Sequence, residues 1–250
     1  MKIKRENEII SIIKSCGYYA SVEYIAERLS LSASTVRRDL QSMEKDGKIK
    51  RSYSGVEYLG KEELLAPFPL RTHKNLEQKM AVCRLAASFV KEGFTVFTDA
   101  SSTAYCLANY LKDFENVKVV TNGMETLNAL SVSKLEVFST GGKISSSNRV
   151  ALVGNRAVDI INSVHADVAF VSAFGVSKDG GVYDVYDDEI AVRQAMFKNA
   201  DKKILMLDEM KFGKSAPFKL ANLTDFDAVL CNKKIENFFL PEVEVNITAY

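Results

Sequence analysis

The chain has 250 residues, of which 47% are apolar, and a formal net charge of +1. That length and composition allow one large domain or two smaller ones with a sizeable core. No run of 18 or more apolar residues exists and the charged N-terminus lacks the apolar stretch of a signal peptide, so we expect neither a membrane span nor secretion.

The cysteines and histidines restrict the possible chemistry. Four cysteines are scattered without a C-x-x-C pair, and the two histidines do not cluster with them. We therefore expect buried, reduced thiols in a cytoplasmic protein, with no metal site and no cofactor.

The N-terminal residues predict a helix–turn–helix. Apolar residues at 9–13 predict a first helix, and helical apolar spacing predicts a second at 22–29. Residues 30–32 then form a tight turn into a third helix.

The third predicted helix, residues 33–46, has two distinct faces. Ser32 precedes it and can cap its N-terminus. Val36, Leu40 and Met43 share an apolar face, and polar and basic side chains share the other. This layout is typical of a recognition helix in the major groove of DNA. The alternative is an ordinary surface helix with a solvated basic face.

A wing is predicted after this helix, because residues 48–51 and 56–58 can pair as a hairpin. Residues 1–56 carry 11 Lys+Arg against 7 Asp+Glu, whereas the rest of the chain carries 22 against 25. Positive charge concentrated in the N-terminal part fits a phosphate-binding face. The predicted contacts to operator DNA are Ser34, Thr35, Arg37, Arg38, Gln41, Lys45, Lys48, Lys50 and Arg51.

The pattern changes after the wing. Residues 59–75 contain a charged run and two prolines and predict a linker between a DNA-binding domain at 1–58 and a second domain at 76–250. In the second domain helical segments alternate with short β-branched runs, which predicts an α/β fold with a mainly parallel sheet covered on both faces. The predicted strands are 94–98, 117–121, 135–140, 166–172, 203–207 and 228–231. The predicted helices are 75–91, 102–112, 123–132, 153–163, 187–200 and 234–239.

Polar residues follow four of these strands, at the sheet edge where open α/β folds bind ligands. Residues 99–103 lead into a helix whose free N–H groups and hydroxyls suit a phosphate. The other three strands end in residues 121–122, 141–142 and 208–211. Each end also has a simpler explanation. Ser101-Ser102-Thr103 could cap a helix, Gly141-Gly142 could form only a turn, and Asp208 and Lys211 could form a surface ion pair. Together the four ends favour a polyhydroxylated phosphate ligand.

Glu189 opens a predicted helix and could reach sugar hydroxyls, or could act as a capping carboxylate. The predicted effector contacts are Asp99, Ser101, Ser102, Thr103, Thr121, Asn122, Gly141, Gly142, Glu189 and Lys211.

Residues 32–51 resemble the N-terminal signature of the DeoR-type bacterial transcriptional regulators, and the similarity covers nearly all of the chain. The effector-domain elements of that family are similar to residues 99–103, 121–122, 141–142 and 208–211, although Ser101-Ser102 stands where Gly-Thr is usual. The resemblance implies an effector domain like ribose-5-phosphate isomerase that binds phosphorylated sugars. It also implies a regulator that usually represses and whose operator affinity falls when the effector binds.

Three functions can be weighed on the sequence. An active isomerase needs a general base, but residues 173–177 contain no carboxylate. A nicotinamide-binding redox sensor needs G-x-G-x-x-G, and Gly141-Gly142 has the wrong spacing. We therefore predict a non-enzymatic regulator of carbohydrate-metabolism genes that binds operator DNA and a phosphorylated sugar. It is expected to act as a homodimer or higher homo-oligomer, because helix–turn–helix proteins bind paired half-sites.

Overall fold

A computed structural model describes residues 2–15, 19–46, 48–52, 55–58, 67–241, 243 and 247–249. The chain divides into two compact units, Met1–His73 and Lys74–Tyr250. Residues 59–66 of the predicted linker lie outside the described residues. Its residues 68–73 are helical, which the linker prediction did not foresee.

The N-terminal unit has the predicted order of helices and wing. Strand β2 pairs antiparallel with β3, with Arg51 opposite Val56, and β1 pairs with the other side of β3. The elements are α1 (Lys2–Ser15), β1 (Tyr19–Ala20), α2 (Val22–Leu29), α3 (Ala33–Lys45), β2 (Ile49–Ser52), β3 (Gly55–Tyr58) and α4 (Phe68–His73).

One apolar core holds this unit together. Ser21 and Ser32 cap α2 and α3 by accepting a backbone N–H three residues on, which contributes about 1 kcal/mol each. The apolar face predicted for α3 is confirmed, since its three members are fully buried. The buried core consists of Ile9, Ile13, Ala20, Ile25, Ala26, Val36, Leu40, Met43, Ile49 and Val56.

The C-terminal unit contains the predicted alternation of strands and helices. Its helices are α5 (Leu76–Ala87), α6 (Ser102–Leu111), α7 (Met124–Leu130), α8 (Asn155–Asn162) and α9 (Asp187–Lys198). Its strands are β4 (Thr95–Thr98), β5 (Lys118–Thr121), β6 (Glu136–Ser139), β7 (Lys143–Ile144), β8 (Leu152–Val153), β9 (Ala166–Val171), β10 (Gly175–Val176), β11 (Gly181–Asp184), β12 (Ala200–Leu207), β13 (Phe218–Asn222), β14 (Ala228–Cys231) and β15 (Ile247–Ala249).

Seven of these strands form one sheet in the order β15-β14-β12-β9-β4-β5-β6, and every neighbouring pair is parallel. Apolar residues of α5, α6 and α7 pack on one face, and those of α8 and α9 pack on the other. The predicted α/β fold with a parallel sheet is therefore confirmed.

Several features of the C-terminal unit differ from the prediction, among them the unforeseen strands β7, β8 and β15. The predicted helix at 234–239 is wrong: Asn237 has a φ of 53°, in the left-handed region, and Phe238 packs edge-on against Phe212 and Phe239. Sequence patterns also missed a small antiparallel sheet of β10, β11 and β13, whose strands are short and interrupted by a register shift after Val182.

Candidate DNA-binding surface and ligand site

The first turn of α3 is organised by Ser32. Its Oγ accepts the Thr35 N–H at 3.2 Å and lies 2.8 Å from the Thr35 hydroxyl and 2.9 Å from the Ser34 hydroxyl. The cap fixes where the helix begins, and so fixes which side chains face away from the core. Five of the predicted DNA contacts on α3 are exposed, and Thr35 is half-buried. The exposed ones are Ser34, Arg37, Arg38, Gln41 and Lys45.

Several of the predicted DNA-contacting cations pair with carboxylates. Arg37 Nη2 lies 3.0 Å from Glu23 Oε1, with both side chains mostly exposed, and Arg51 Nε lies 2.6 Å from Glu44 Oε2. Lys48 Nζ lies 2.6 Å from Glu6 Oε2. The Arg37–Glu23 pair is exposed and contributes little to stability, so a phosphate can replace its carboxylate at low cost. Glu6 is buried, so taking Lys48 away from it would leave a buried carboxylate without its counter-charge.

Asp39 is a polar residue of α3 that does not face outward. It is buried, and its two oxygens accept from Arg5 Nε at 2.6 Å and Arg5 Nη2 at 2.7 Å. This bidentate pair ties α1 to α3 and limits rotation of α3 about its axis.

Arg38, by contrast, is exposed and has no ion pair within the described residues.

The seven-stranded sheet has a topological switch point between β4 and β9. Successive strands run outward from β4 to β6 on one side and from β9 to β15 on the other. Ligands of open α/β sheets bind in the crevice beyond the strand ends at such a point. The residues that follow β4, β9 and β12 are therefore the first place to look for a ligand site.

The loop after β4 is held in a fixed shape. Asp99 is fully buried and accepts from the N–H of Ser101 and of Ser172 at 3.1 Å each. Ser101 caps α6 by accepting the Ala104 N–H at 3.0 Å, so the helix-cap alternative applies to this residue. Ser102 and Thr103 form the buried first turn of α6, where helix N–H groups lack intrahelical partners.

Lys211 reaches the switch point from the 3-10 turn Glu209–Lys211 after β12. Its Nζ donates to Ser172 Oγ at 2.6 Å, and that hydroxyl donates to Met206 O at 2.6 Å. Burial lowers the pKa of Lys211, and the carboxylates of Asp208, Asp184 and Asp99 only partly offset this effect. The alternative of a surface ion pair between Asp208 and Lys211 is not found among the described residues, because the ammonium bonds to Ser172.

A buried charge cluster lies beside Lys211. Arg193 of α9 donates to Asp99 at 2.9 Å, to Asp184 at 2.7 Å and to Glu189 at 3.1 Å. Burial lowers the pKa of Arg193, but the three carboxylates outweigh it and raise the pKa above its ordinary value. Asp99 and Glu189 thus bind an internal arginine, which is a different use from the predicted contact with ligand hydroxyls.

Glu189 is the most perturbed acid of this cluster. Its other oxygen accepts from Asn148 Nδ2 at 2.6 Å. Burial raises its pKa to about 7, and the nearby charges of Asp184 and Asp99 add to this, whereas Arg193 opposes it. Glu189 is not a helix cap in the hydrogen-bonding sense, because both of its oxygens bond to side chains.

The remaining predicted residues follow β5 and β6. Thr121 Oγ1 accepts the Gly123 N–H, and an added Cβ on Gly123 would lie 3.1 Å from Ala100 Cα, so this turn packs against the loop after β4. Asn122 is buried, donates to Leu152 O, and its Oδ1 has no hydrogen-bond partner among the described residues.

Gly141 and Gly142 allow a backbone conformation that other residues rarely adopt. Gly141 and Gly142 have φ of 61° and 97°, and a Cβ on Gly142 would lie 2.5 Å from Val153 O. A turn is therefore a sufficient reason for these glycines.

Gly142 also borders a cavity of about 470 Å³ that Lys143 and Arg156 line. The described hydrogen bonds connect Asp99, Ser101, Glu189 and Lys211 into one network and leave the glycine pair outside it.

Sequence reasoning missed three residues of this region: Arg193, Ser172 and Asn148. One of them had a usable signal, because Arg193 stands among the buried residues of α9, where a charged residue is unusual. Ser172 and Asn148 had none, because only the fold brings them to the site.

A winged helix–turn–helix unit, joined to an α/β unit with buried polar and charged side chains at its switch point, is typical of a DNA-binding regulator with a ligand-sensing domain. Residues 5–62 match the DeoR-like helix-turn-helix domain, and residues 74–233 match the DeoR C terminal sensor domain. The chain belongs to the DeoR family of transcriptional regulators, which confirms the resemblance predicted from the sequence.

Curated relatives agree with this assignment. The chain is 32% identical to the HTH-type transcriptional regulator GolR of Listeria innocua, over 93% of this chain and 91% of that protein. It is 28% identical to the glycerol-3-phosphate regulon repressor of Escherichia coli, over 90% of this chain and 89% of that protein.

Among solved structures, the chain is similar to ribose 5-phosphate isomerase A of Methanocaldococcus jannaschii, with 17% identity and a TM-score of 0.41. The likeness covers 56% of this chain and 55% of that one. Separately, no helix in the described part of the chain combines the length and apolar character needed to cross a membrane.

Proposed function

We propose that this protein represses carbohydrate-metabolism genes and that a phosphorylated sugar or polyol, bound at the switch point of the C-terminal unit, lowers its operator affinity. The family assignment supports regulation by a sensed ligand. The name of one relative, a glycerol-3-phosphate regulon repressor, supports both repression and a phosphorylated effector.

The observation that carries the proposal is the environment of Lys211. Its ammonium donates to a neutral hydroxyl and has no ion pair within the described residues, although burial makes its charge costly. A bound phosphate would give this ammonium a direct ionic partner. The first turn of α6 would bind the same group through free N–H groups and the hydroxyls of Ser102 and Thr103.

The other predicted effector contacts have supporting or positioning roles in this proposal. Thr121 and Asn122 border the loop after β4, and the unpartnered Asn122 Oδ1 can accept a ligand hydroxyl. Asp99 and Glu189 act through Arg193. Gly141 and Gly142 shape the adjoining turn.

We propose that the ligand is sensed without being turned over. Glu189 has the pKa best suited to a general base, but it is fully buried and both of its oxygens are bonded. The protein would act in the cytoplasm, on operator DNA, as a homodimer or higher homo-oligomer on paired half-sites.

On the DNA side, α3 would lie in the major groove and the wing would contact the backbone. Arg38→Ala should weaken operator binding by about 1–3 kcal/mol if Arg38 reads a guanine edge. Fluorescence anisotropy with a duplex selected from a random-sequence pool measures this. The control is Lys91→Ala, an exposed cation of the C-terminal unit. Unchanged affinity in both Arg37→Ala and Arg38→Ala would refute the recognition-helix assignment.

Thermal-shift screening tests the effector proposal. Phosphorylated sugars and polyols are compared with their dephosphorylated forms on the full chain. A ligand at a hundred times its Kd should add about 2.7 kcal/mol of stability. We expect stabilisation by at least one phosphorylated compound and none by its dephosphorylated form. Equal stabilisation by both forms would contradict a phosphate-directed site.

A further inference from the structure

Ser172 stands at the point where β9 leaves the seven-stranded sheet. It follows β9 directly and is only 1% exposed. Its Oγ donates to Met206 O of β12 at 2.6 Å, and its N–H donates to Asp99 Oδ2 at 3.1 Å. Asp99 follows β4, so this one serine is bonded to both sides of the switch point.

The hydroxyl of Ser172 has a fixed direction. A serine hydroxyl has one proton to donate and a carbonyl oxygen can only accept, so the proton of Ser172 points at Met206 O. The oxygen of the same hydroxyl accepts from Lys211 Nζ at 2.6 Å. Ser172 therefore faces the ammonium as an acceptor, and it has no second proton to give to a ligand.

This contact restrains an otherwise flexible side chain. A lysine ammonium stands on a four-carbon stem and has three donors. Within the described part of the chain, Ser172 Oγ is the hydrogen-bond acceptor of the Lys211 ammonium, which leaves two donors for a ligand. Because the ammonium is held in place before the ligand arrives, less entropy is lost when the ligand binds.

The same serine connects Lys211 to the loop after β4. Asp99 accepts from the N–H of Ser101 as well as from that of Ser172. Ser101 caps α6, whose first turn is the other half of the proposed phosphate contact. Lys211 and the start of α6 are thus held by one connected set of hydrogen bonds that passes through Ser172 and Asp99.

Resting on the proposed function, we propose that Ser172 is a positioning residue of the effector site. It holds the Lys211 ammonium in the orientation that binds the ligand phosphate, and it acts through Lys211 without touching the ligand. The hydroxyl carries this role, because the backbone N–H of Ser172 is bonded to Asp99.

Calorimetry on the full chain, with ribose 5-phosphate and glycerol 3-phosphate as probes, tests this role. Ser172→Ala removes the acceptor and should lower the affinity for a bound probe at least tenfold. Ser172→Cys nearly keeps the size of the side chain but offers only a weak acceptor, and should lower it at least fivefold. The matched control is Ser133→Ala, which should change affinity less than twofold. Ser133 follows α7, and its hydroxyl also donates to a carbonyl oxygen at 2.6 Å, that of Leu130.

A double-mutant cycle shows whether Ser172 acts through Lys211. In the Lys211→Met background the ammonium is absent, so adding Ser172→Ala should change the remaining affinity less than twofold. A serine with a merely structural role would cost the same factor in both backgrounds. Circular dichroism establishes that each variant is folded.

The outcomes separate this inference from the proposed function. If the wild type binds a phosphate probe and both folded Ser172 variants keep its affinity within threefold, Ser172 has no positioning role. An equal loss from Ser172→Ala with and without the Lys211 ammonium also overturns that role, and it leaves the proposed function standing. A wild type that binds neither probe contradicts the proposed function and this inference with it.

Discussion

Arg193→Leu should destabilise the C-terminal unit by about 3–5 kcal/mol, because it leaves buried carboxylates without their counter-charge. Three acids, Asp99, Asp184 and Glu189, bond to this one guanidinium, and all of these side chains are nearly inaccessible. Urea unfolding followed by circular dichroism measures the loss, since the chain contains no tryptophan.

The matched control is Arg156→Leu. Arg156 is an exposed arginine of α8 with no ion pair within the described residues, so its loss should change stability by less than about 0.5 kcal/mol. The destabilisation by Arg193→Leu should also shrink as the pH falls, because protonation removes the excess negative charge. An Arg193→Leu protein as stable as the Arg156→Leu protein would show that the cluster is not a stabilising unit.

The second large effect is a pH dependence that Glu189 imposes on stability. Its pKa is raised to about 7 in the folded chain, so the folded state binds this proton more tightly than the unfolded state. The sign follows directly: Glu189 imposes no cost below its unfolded pKa, and stability falls as the pH rises toward the folded pKa. The total change across this window is about 3 kcal/mol, at 1.36 kcal/mol per unit.

Glu189→Gln isolates this titration from all others. The variant cannot ionise, so its unfolding free energy minus that of the wild type should increase by about 3 kcal/mol between pH 4.5 and pH 8. Taking the difference cancels groups such as Glu44, whose pKa is lowered by hydrogen bonds from Arg51. A difference that stays constant with pH would mean that Glu189 does not titrate in this range.

The DNA-binding unit could be predicted closely because its signals are local. A serine cap, three apolar residues at helical spacing and a polar opposite face lie within thirteen residues, and the structure uses all of them. Six strands of the parallel sheet were predictable for a similar reason, since each stands out as a short run of apolar and β-branched residues, whereas β15 was not predicted. Asp39 was the exception on α3, because its partner Arg5 lies 34 residues away.

The candidate ligand site could be predicted only in part. The rule that ligands bind beyond strand ends placed Lys211 and the loop after β4 correctly at one edge. Their connection through Ser172 and the Arg193 cluster could not be predicted, because it joins residues up to 94 positions apart. Buried charges also break the apolar periodicity from which burial is inferred. Asp99 and Glu189 were therefore expected to face a ligand, although they face an arginine.

The most direct test of ligand-controlled DNA binding measures operator affinity with and without a phosphorylated sugar that stabilises the protein. A ligand changes operator affinity only if it binds the DNA-competent and DNA-released states unequally. For the wild type we predict at least a tenfold weaker operator affinity when the sugar is saturating. Lys211→Met should bind the duplex with wild-type affinity and fail to respond. An operator affinity unchanged by every stabilising phosphorylated sugar, or a full response in Lys211→Met, would contradict control through this site.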